Sequence, residues 1–138
     1  MRVTTAFNRL LRLPGTRVTA VRWLPDGLVV SVRSTRRVRV CPCGSSTRVW
    51  YDRAVRRWRH LDACGTWVWL EAEVCRIDCR SCGRVRTEVV PWARPGGRHT
   101  LGFERHVLWC ARRMDKSAVA RLMRIAWETV DAMIVRAA

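Results

Sequence analysis

The sequence is poor in several things that would each open a class of function. It has one lysine, one tyrosine, two phenylalanines and three histidines in 138 residues, and only 11 acids against 27 basic residues. No apolar run reaches the roughly 18 residues of a membrane helix. The start, "MRVTTAFNRLLRLPG", is too short in its apolar part and too interrupted by arginine for a signal peptide. The chain is therefore expected in the cytoplasm, with no membrane partner. No glycine-rich phosphate loop and no nucleophile beside a plausible base is present, which argues against nucleotide hydrolysis and triad chemistry. No internal repeat or low-complexity tract suggests a solenoid or a disordered tail. His60, His99 and His106 never stand at the H-x₃₋₅-H spacing of a Cys₂His₂ finger, so they read as structural or exposed.

What is present is arginine, tryptophan and cysteine. The hydrophobic fraction of 49% and charged fraction of 28% are those of a folded chain with a modest core. A formal charge of +16, carried by arginine at all but one of 27 basic positions, predicts a polyanionic partner, most simply duplex DNA close to the nucleoid. Compositional drift accounts for arginine over lysine but not for the excess of base over acid. Seven cysteines, an odd number, in a reducing compartment point to metal or free thiols before disulfides.

The pattern changes along the chain. Residues 1–40 read as a short helix, "TTAFNRLLRL", and a β-hairpin, "RVTAVRWL" and "LVVSVRSTRRVRV", joined by the turn Pro25-Asp26-Gly27; nine arginines here face one acid. Residues 41–90 hold two cysteine knuckles and the alternating strand "TWVWLEAEVCRIDC", with Val68, Leu70, Ala72 and Val74 on one face. Residues 91–99, "PWARPGGRH", read as a linker. Residues 100–138 shift to the helical period, with Leu101, Val107, Leu108 and Ala111 placed on one side of the first helix and an Asp cap opening "DKSAVARLM". The expected fold class is α+β: a small β-hairpin and zinc-ribbon-like domain followed by a helix-turn-helix domain.

Cys79 and Cys82, in "CRSCG", stand at the spacing that lets two thiolates reach one tetrahedral Zn²⁺ at about 2.3 Å, and the following glycine lets backbone N–H groups turn toward sulfur. Cys41 and Cys43, in "CPCG", are one residue short of that spacing, and 35 residues separate the two halves. One structural zinc on Cys41, Cys43, Cys79 and Cys82 is the expectation. Cys64, followed by Gly65, is the alternative fourth thiol; Cys75 and Cys110 read as core or spare thiols.

With Lys116 as the first position of a helix-turn-helix, Ala120 is the small residue where the helices approach, and Met123, Ile125, Val130 and Met133 fall on the apolar positions. Arg124 stands where glycine is commoner. The second helix, 126–138, then presents Trp127, Glu128, Thr129 and Asp131 to a groove, while Lys116, Arg121 and Arg124 reach phosphate. The alternative is a helical hairpin whose charges only face solvent. Trp50, Trp58, Trp67 and Trp69 interleave with arginines as base-stacking platforms do, but small β-domains more often use tryptophan as core, and core is the expectation.

In the order "CPCG", "YDRAVRRWRHLD", "LEAEVCRIDCRSCG", "VVPWARPGGRHT", "MDKSAVARLMRIAWETV", the residues resemble the N-terminal region of bacterial insertion-sequence transposases of the ISL-three family. The resemblance spans nearly the whole chain and implies a zinc finger on the four knuckle cysteines, then a helix-turn-helix whose reading helix starts near Trp127. In that family a DDE-type catalytic domain follows, and the sequence given ends at Ala138. The implied function is a zinc-dependent DNA-binding fragment of a transposase that recognises transposon-end DNA without itself being the catalyst of DNA transposition and recombination. The implied partners are double-stranded DNA and either itself or the full-length transposase. The alternatives are a protein-interaction module that modulates a full-length transposase, and a gene remnant without function.

Overall fold

The computed structural model describes residues 1–138. Helix α1 (Val3–Leu11) leads into strands β1 (Thr16–Leu24) and β2 (Gly27–Ser34). The short strands β3 (Arg39–Val40) and β4 (Ser46–Thr47) precede the long hairpin β5 (Asp52–Ala63) and β6 (Thr66–Cys79), then β7 (Arg84–Thr87). Three helices close the chain: α2 (Leu101–Ala111), α3 (Lys116–Met123) and α4 (Trp127–Ala137). A sheet-rich N-terminal part followed by helices is the α+β arrangement that the patterning predicts. No helix is long and apolar enough to cross a membrane.

The main sheet has the order β1-β2-β6-β5, with β7 also on β6. β1–β2 and β5–β6 are antiparallel hairpins, and β2 runs parallel to β6, Leu28 opposite Val68 through Ser31 opposite Glu71. One sheet thus crosses the expected division at residue 40, because β2 of the first segment pairs with β6 of the second. Gly27 is required where the β1–β2 turn meets β6: its φ is +155°, and a Cβ there would lie 2.5 Å from the Trp67 carbonyl oxygen. Cys64 and Gly65 turn the β5–β6 hairpin with φ of 51° and 77°, the pair of positive angles that a two-residue hairpin turn favours.

Alternation closes one face of the sheet. Val18, Leu28, Val30, Val32, Trp58, Val68, Leu70, Ala72 and Val74 form a core with Val90, Trp92 and Ala93, and Phe7 and Leu11 of α1 pack against it. Trp58 and Trp92 meet edge to face at 5.4 Å. The expectation of tryptophan as core holds for Trp58; Trp67 and Trp69 are half-buried, and Trp50 is exposed.

The helices pack about a second core of Phe103, Val107, Cys110, Val119, Met123, Val130 and Met133. In α2 the buried stripe is Phe103, Val107 and Cys110, whereas Leu101, Leu108 and Ala111 of the expected stripe are only half-buried. The difference is a rotation of α2 set by its start. Thr100 caps the helix, its Oγ1 accepting from the Phe103 N–H at 3.2 Å, and is itself held by the Nδ1 of His60 at 2.7 Å.

Candidate metal centre and nucleic-acid interface

The two cysteine knuckles are turns at strand ends. β3 and β4 pair antiparallel, so Cys41–Ser45 must reverse direction: the Gly44 N–H donates to the Cys41 carbonyl at 2.8 Å, and the Cys41 N–H donates to the Ser45 carbonyl at 2.8 Å. The second knuckle closes β6 onto β7, the Gly83 N–H donating to the Cys79 carbonyl at 2.8 Å. The Val89 N–H donates to the Val40 carbonyl at 2.7 Å, which ties the strand carrying Cys41 to the segment just past β7. Ser45 and Ser81 hydroxyls meet across the gap at 3.0 Å.

These ties bring the Sγ atoms of Cys41, Cys43, Cys79 and Cys82 within 4.8 Å of one another. Cys41 to Cys82 is 3.9 Å and Cys43 to Cys79 is 3.6 Å. Tetrahedral zinc with Zn–S bonds of about 2.3 Å needs sulfurs about 3.8 Å apart, so the donor set and its spacing suit that ion. The one-residue spacer of the first knuckle is accommodated because the turn is tight enough to aim both sulfurs inward. Cys41 and Cys79 are buried, packed with Ile77, while Cys43 is exposed.

The thiols are electrostatically unequal. At Cys79 the Cys82 backbone N–H favours the thiolate and, against burial, brings the pKa down to about 6, helped by the other three thiols. At Cys41 the Cys43 backbone N–H also favours the thiolate, but burial and the hydrogen bonds of Cys43, Cys79 and Cys82 outweigh it and push the pKa up to about 12. Four sulfurs this close cannot all ionise without a cation among them.

Cys64, the alternative thiol, does not join this cluster. It lies in the turn at the opposite end of β6, a strand of 14 residues, or roughly 40 Å at about 3.3 Å per residue. Cys75 is buried, its thiol pushed up by that burial, and Cys110 is buried in the helical core. Trp109, next to Cys110, is 55% exposed, with the Arg113 guanidinium 3.8 Å from its ring centre.

The helices form the expected motif. Asp115 caps α3, its carboxylate accepting from the Ala118 N–H at 2.7 Å. Arg124 ends α3 with φ of 55°, a left-handed position that glycine fills more readily, and the Ile125 N–H donates to the Ala120 carbonyl at 3.1 Å. Ala126 precedes α4 without capping it by a side chain, which leaves first-turn amides for an outside acceptor. Arg121, Arg124, Trp127 and Glu128 are exposed and Thr129 is half-buried. Lys116 and Asp131 are paired with each other across α3 and α4, and the Lys116 ammonium lies 4.8 Å from the Trp127 ring centre. Of the two acids expected on the reading helix, only Glu128 is therefore without an ion pair.

Sequence reasoning missed the joint that holds this motif to the sheet, the stretch "WRHLD". Arg59 is 4% exposed; its guanidinium donates to the carbonyls of Met123 at 3.1 Å and Arg124 at 3.3 Å, pairs with Asp62 at 3.0 Å and stacks 4.2 Å from the Trp67 ring centre. It caps the end of α3 from the sheet. His60 holds the cap of α2, Leu61 packs into the helical core and Asp62 also pairs with Arg124 at 3.6 Å. The Arg59 N–H and carbonyl bond to Arg98 and Thr100, so residues 98–100 run beside β5. The linker consequently packs between sheet and helices, and Arg94, Arg98 and Arg136 line a groove with Glu128, Thr129 and Ala132. The signal available in the sequence was three polar or charged residues within four positions, Arg59, His60 and Asp62, at the end of a strand whose alternation stops there.

Comparison with known proteins gives a consistent picture. Residues 32–82 match the model described as the zinc-finger of transposase IS204/IS1001/IS1096/IS1165, and residues 88–138 match the helix-turn-helix domain of transposase family ISL3. The transposase for insertion sequence element IS1557 of Mycobacterium tuberculosis is 45% identical over 96 residues, 68% of this chain and 21% of that protein. The transposase for insertion sequence element IS1001 of Bordetella parapertussis is 30% identical over 123 residues, 84% of this chain and 30% of that protein. The chain thus spans between a fifth and a third of the length of these relatives. No solved structure matches.

Proposed function

Because residues 32–82 and 88–138 carry the zinc-finger and helix-turn-helix modules of the ISL3 family of insertion-sequence transposases, we propose that this chain binds duplex DNA at the ends of an insertion element. Its zinc site is structural: four cysteines occupy all four tetrahedral positions and leave none open for water or substrate. Cys41, Cys43, Cys79 and Cys82 are the ligands. When bound, the ion supplies positive charge that holds four thiolates and clamps the β3–β4 turn to the β6–β7 turn.

The reading helix is α4. Thr129 and Glu128 face the groove, Glu128 accepting from a cytosine amino group, while Arg121, Arg124 and the uncapped amides of the first turn hold phosphate. Lys116 keeps Asp131 neutralised and braces Trp127, and so acts on DNA through them. The observation that carries this reading is the pairing of a formed helix-turn-helix with a charge of +16.

Selection from a random duplex pool tests this. The wild-type chain is expected to enrich one motif, and Glu128→Gln and Thr129→Ala to relax one or two positions within it; enrichment of no motif contradicts the assignment of α4. An interaction surface for a partner protein draws on exposed Trp109 and Leu122, but the cation over Trp109 and the burial of Cys110 make that surface smaller than the sequence suggests.

A further inference from the structure

We propose that the open face of the main sheet is a second DNA-binding surface, gripping phosphates beside the helix-turn-helix motif without reading sequence. The inference rests on the DNA-binding reading above and extends it to strands the family motif does not include.

Strand alternation assigns the residues. Val18, Leu28, Val30, Val32, Val68, Leu70 and Trp58 face the core, so their neighbours in β1, β2, β6 and β5 face the other way. Helices α2 and α3 close one end of that second face, where Arg59 is 4% exposed and Val29 is fully buried, whereas Arg17, Arg22, Arg33, Arg53 and Arg57 on the rest of it are exposed. On it, register sets Arg17 of β1 directly opposite Arg33 of β2. Both are exposed and neither makes an ion pair. Two like charges directly opposite one another across an antiparallel pair destabilise a sheet, and an anion bridging them removes the cost.

The remaining basic residues of this face are held outward. Arg22 and Arg57 close on Glu71 from opposite sides at 2.9 and 2.7 Å, and Arg53 meets Glu73 at 2.6 Å. Burial pushes the Glu71 carboxyl up, but the hydrogen bonds and charges of Arg57 and Arg22 outweigh it and keep it ionised. Glu71 therefore orients two guanidinium groups while neutralising one. Apart from Arg59, which is buried and paired with Asp62, five arginines against two glutamates leave a net +3 on this face.

The dimensions suit a duplex. From β1 to β5 is three strand spacings, roughly 14 Å at about 4.8 Å each, and Arg53 to Arg59 along β5 is roughly 20 Å. Arg59, on the same face, donates to the carbonyls of Met123 and Arg124 at the turn of the helical motif. The arginine array thus begins where the reading motif ends, and a duplex lying on α4 continues along the sheet.

The test is the salt dependence of DNA binding by the zinc-loaded chain, wild type against Arg17→Gln/Arg33→Gln/Arg53→Gln. Two duplexes are used, one long enough to reach both surfaces and one of about a single helical turn. On the long duplex the slope of log K against log salt is expected to fall by about 0.9 for each phosphate that the variant no longer neutralises, about two to three phosphates, and equally for matched and unrelated sequences. On the short duplex the slope should not change. Unchanged zinc content and thermal stability no lower than wild type establish that the variant is folded. An unchanged slope on the long duplex in the folded variant overturns the proposal, as does a weakening confined to the matched sequence or equal competition by polyglutamate. If Glu128→Gln still changes base preference while the slope stays constant, only the sheet surface fails. If the slope falls but no base preference exists, the sheet surface stands and the assignment of α4 fails.

Discussion

Removing the guanidinium of Arg59 leaves two carbonyl oxygens at the end of α3 without a donor, and Asp62 with only its looser ion pair to Arg124, at the joint between sheet and helices. Buried acceptors without a donor cost about 1–3 kcal/mol each. Arg59→Met is therefore expected to lower stability by roughly 3 kcal/mol in urea denaturation, with Arg59→Lys recovering only part, since an ammonium has neither the fork nor the flat face that Trp67 stacks on. A decrease below about 0.5 kcal/mol would mean that the joint is held elsewhere. His60 contributes a pH dependence of known sign. Its burial lowers its pKa in the folded protein, so above about 6.5 both states are neutral and its contribution is complete. As pH falls through that value the unfolded chain takes up the proton first, and stability declines until the folded value is reached. Burial lowers His99 in the same direction. Melting temperatures from about pH 8 down to about pH 5 are expected to fall more steeply for the wild type than for His60→Gln, whose amide can still accept from Thr100; parallel curves would remove His60 from the account. Asp115 was legible as a cap because capping needs only its next three residues, whereas Arg59 and His60 act on groups 40 to 65 positions away and leave no local signature.

Among the elements, the zinc knuckles were legible and β5 was not. Spacing and a trailing glycine mark the cysteines in the chain itself. β5 lost its alternation to paired Arg56 and Arg57, to a bulge between His60 and Ala63, and to three consecutive buried residues, Trp58 to His60, that face different neighbours. The parallel pairing of β2 with β6 was also invisible, because nothing in either strand specifies a partner some 40 positions distant. The zinc knuckles make a direct prediction. Native mass spectrometry should find one zinc per chain, lost with Cys41→Ser or Cys82→Ser and kept with Cys64→Ser; retention in Cys41→Ser would exclude the short knuckle from the site. Zinc uptake at neutral pH should release protons, that of Cys41 among them, and zinc affinity should weaken as pH falls, which calorimetry in buffers of different ionisation heat detects. At the turn of the helical motif, Arg124→Gly should relieve about 1 kcal/mol of left-handed strain and remove an exposed ion pair worth less than that. Its stability should stay within about 1 kcal/mol of wild type while DNA affinity drops. A large destabilisation with unchanged DNA binding would make Arg124 purely structural.

At the scale of the whole molecule, charge and topology act together. A chain of +16 repels itself, and the sheet reduces that repulsion by placing Glu71, Glu73 and Asp52 among arginines that would otherwise face one another. The surplus remains on the open sheet face and on the helices, which β5 joins through Arg59 and Asp62. The four-cysteine cluster lies at one end of the long hairpin and the helix-turn-helix motif at the other. Charge alone would yield binding to any duplex, so the central claim is that α4 adds sequence to it. The measurement is the ratio of dissociation constants of the zinc-loaded chain for a duplex carrying the end of its insertion element and for a scrambled duplex of equal length and composition, at one physiological salt concentration. A ratio of about 10³ or more in favour of the element end is the predicted result; equal affinities would show a polyanion binder in which the helix-turn-helix motif reads nothing.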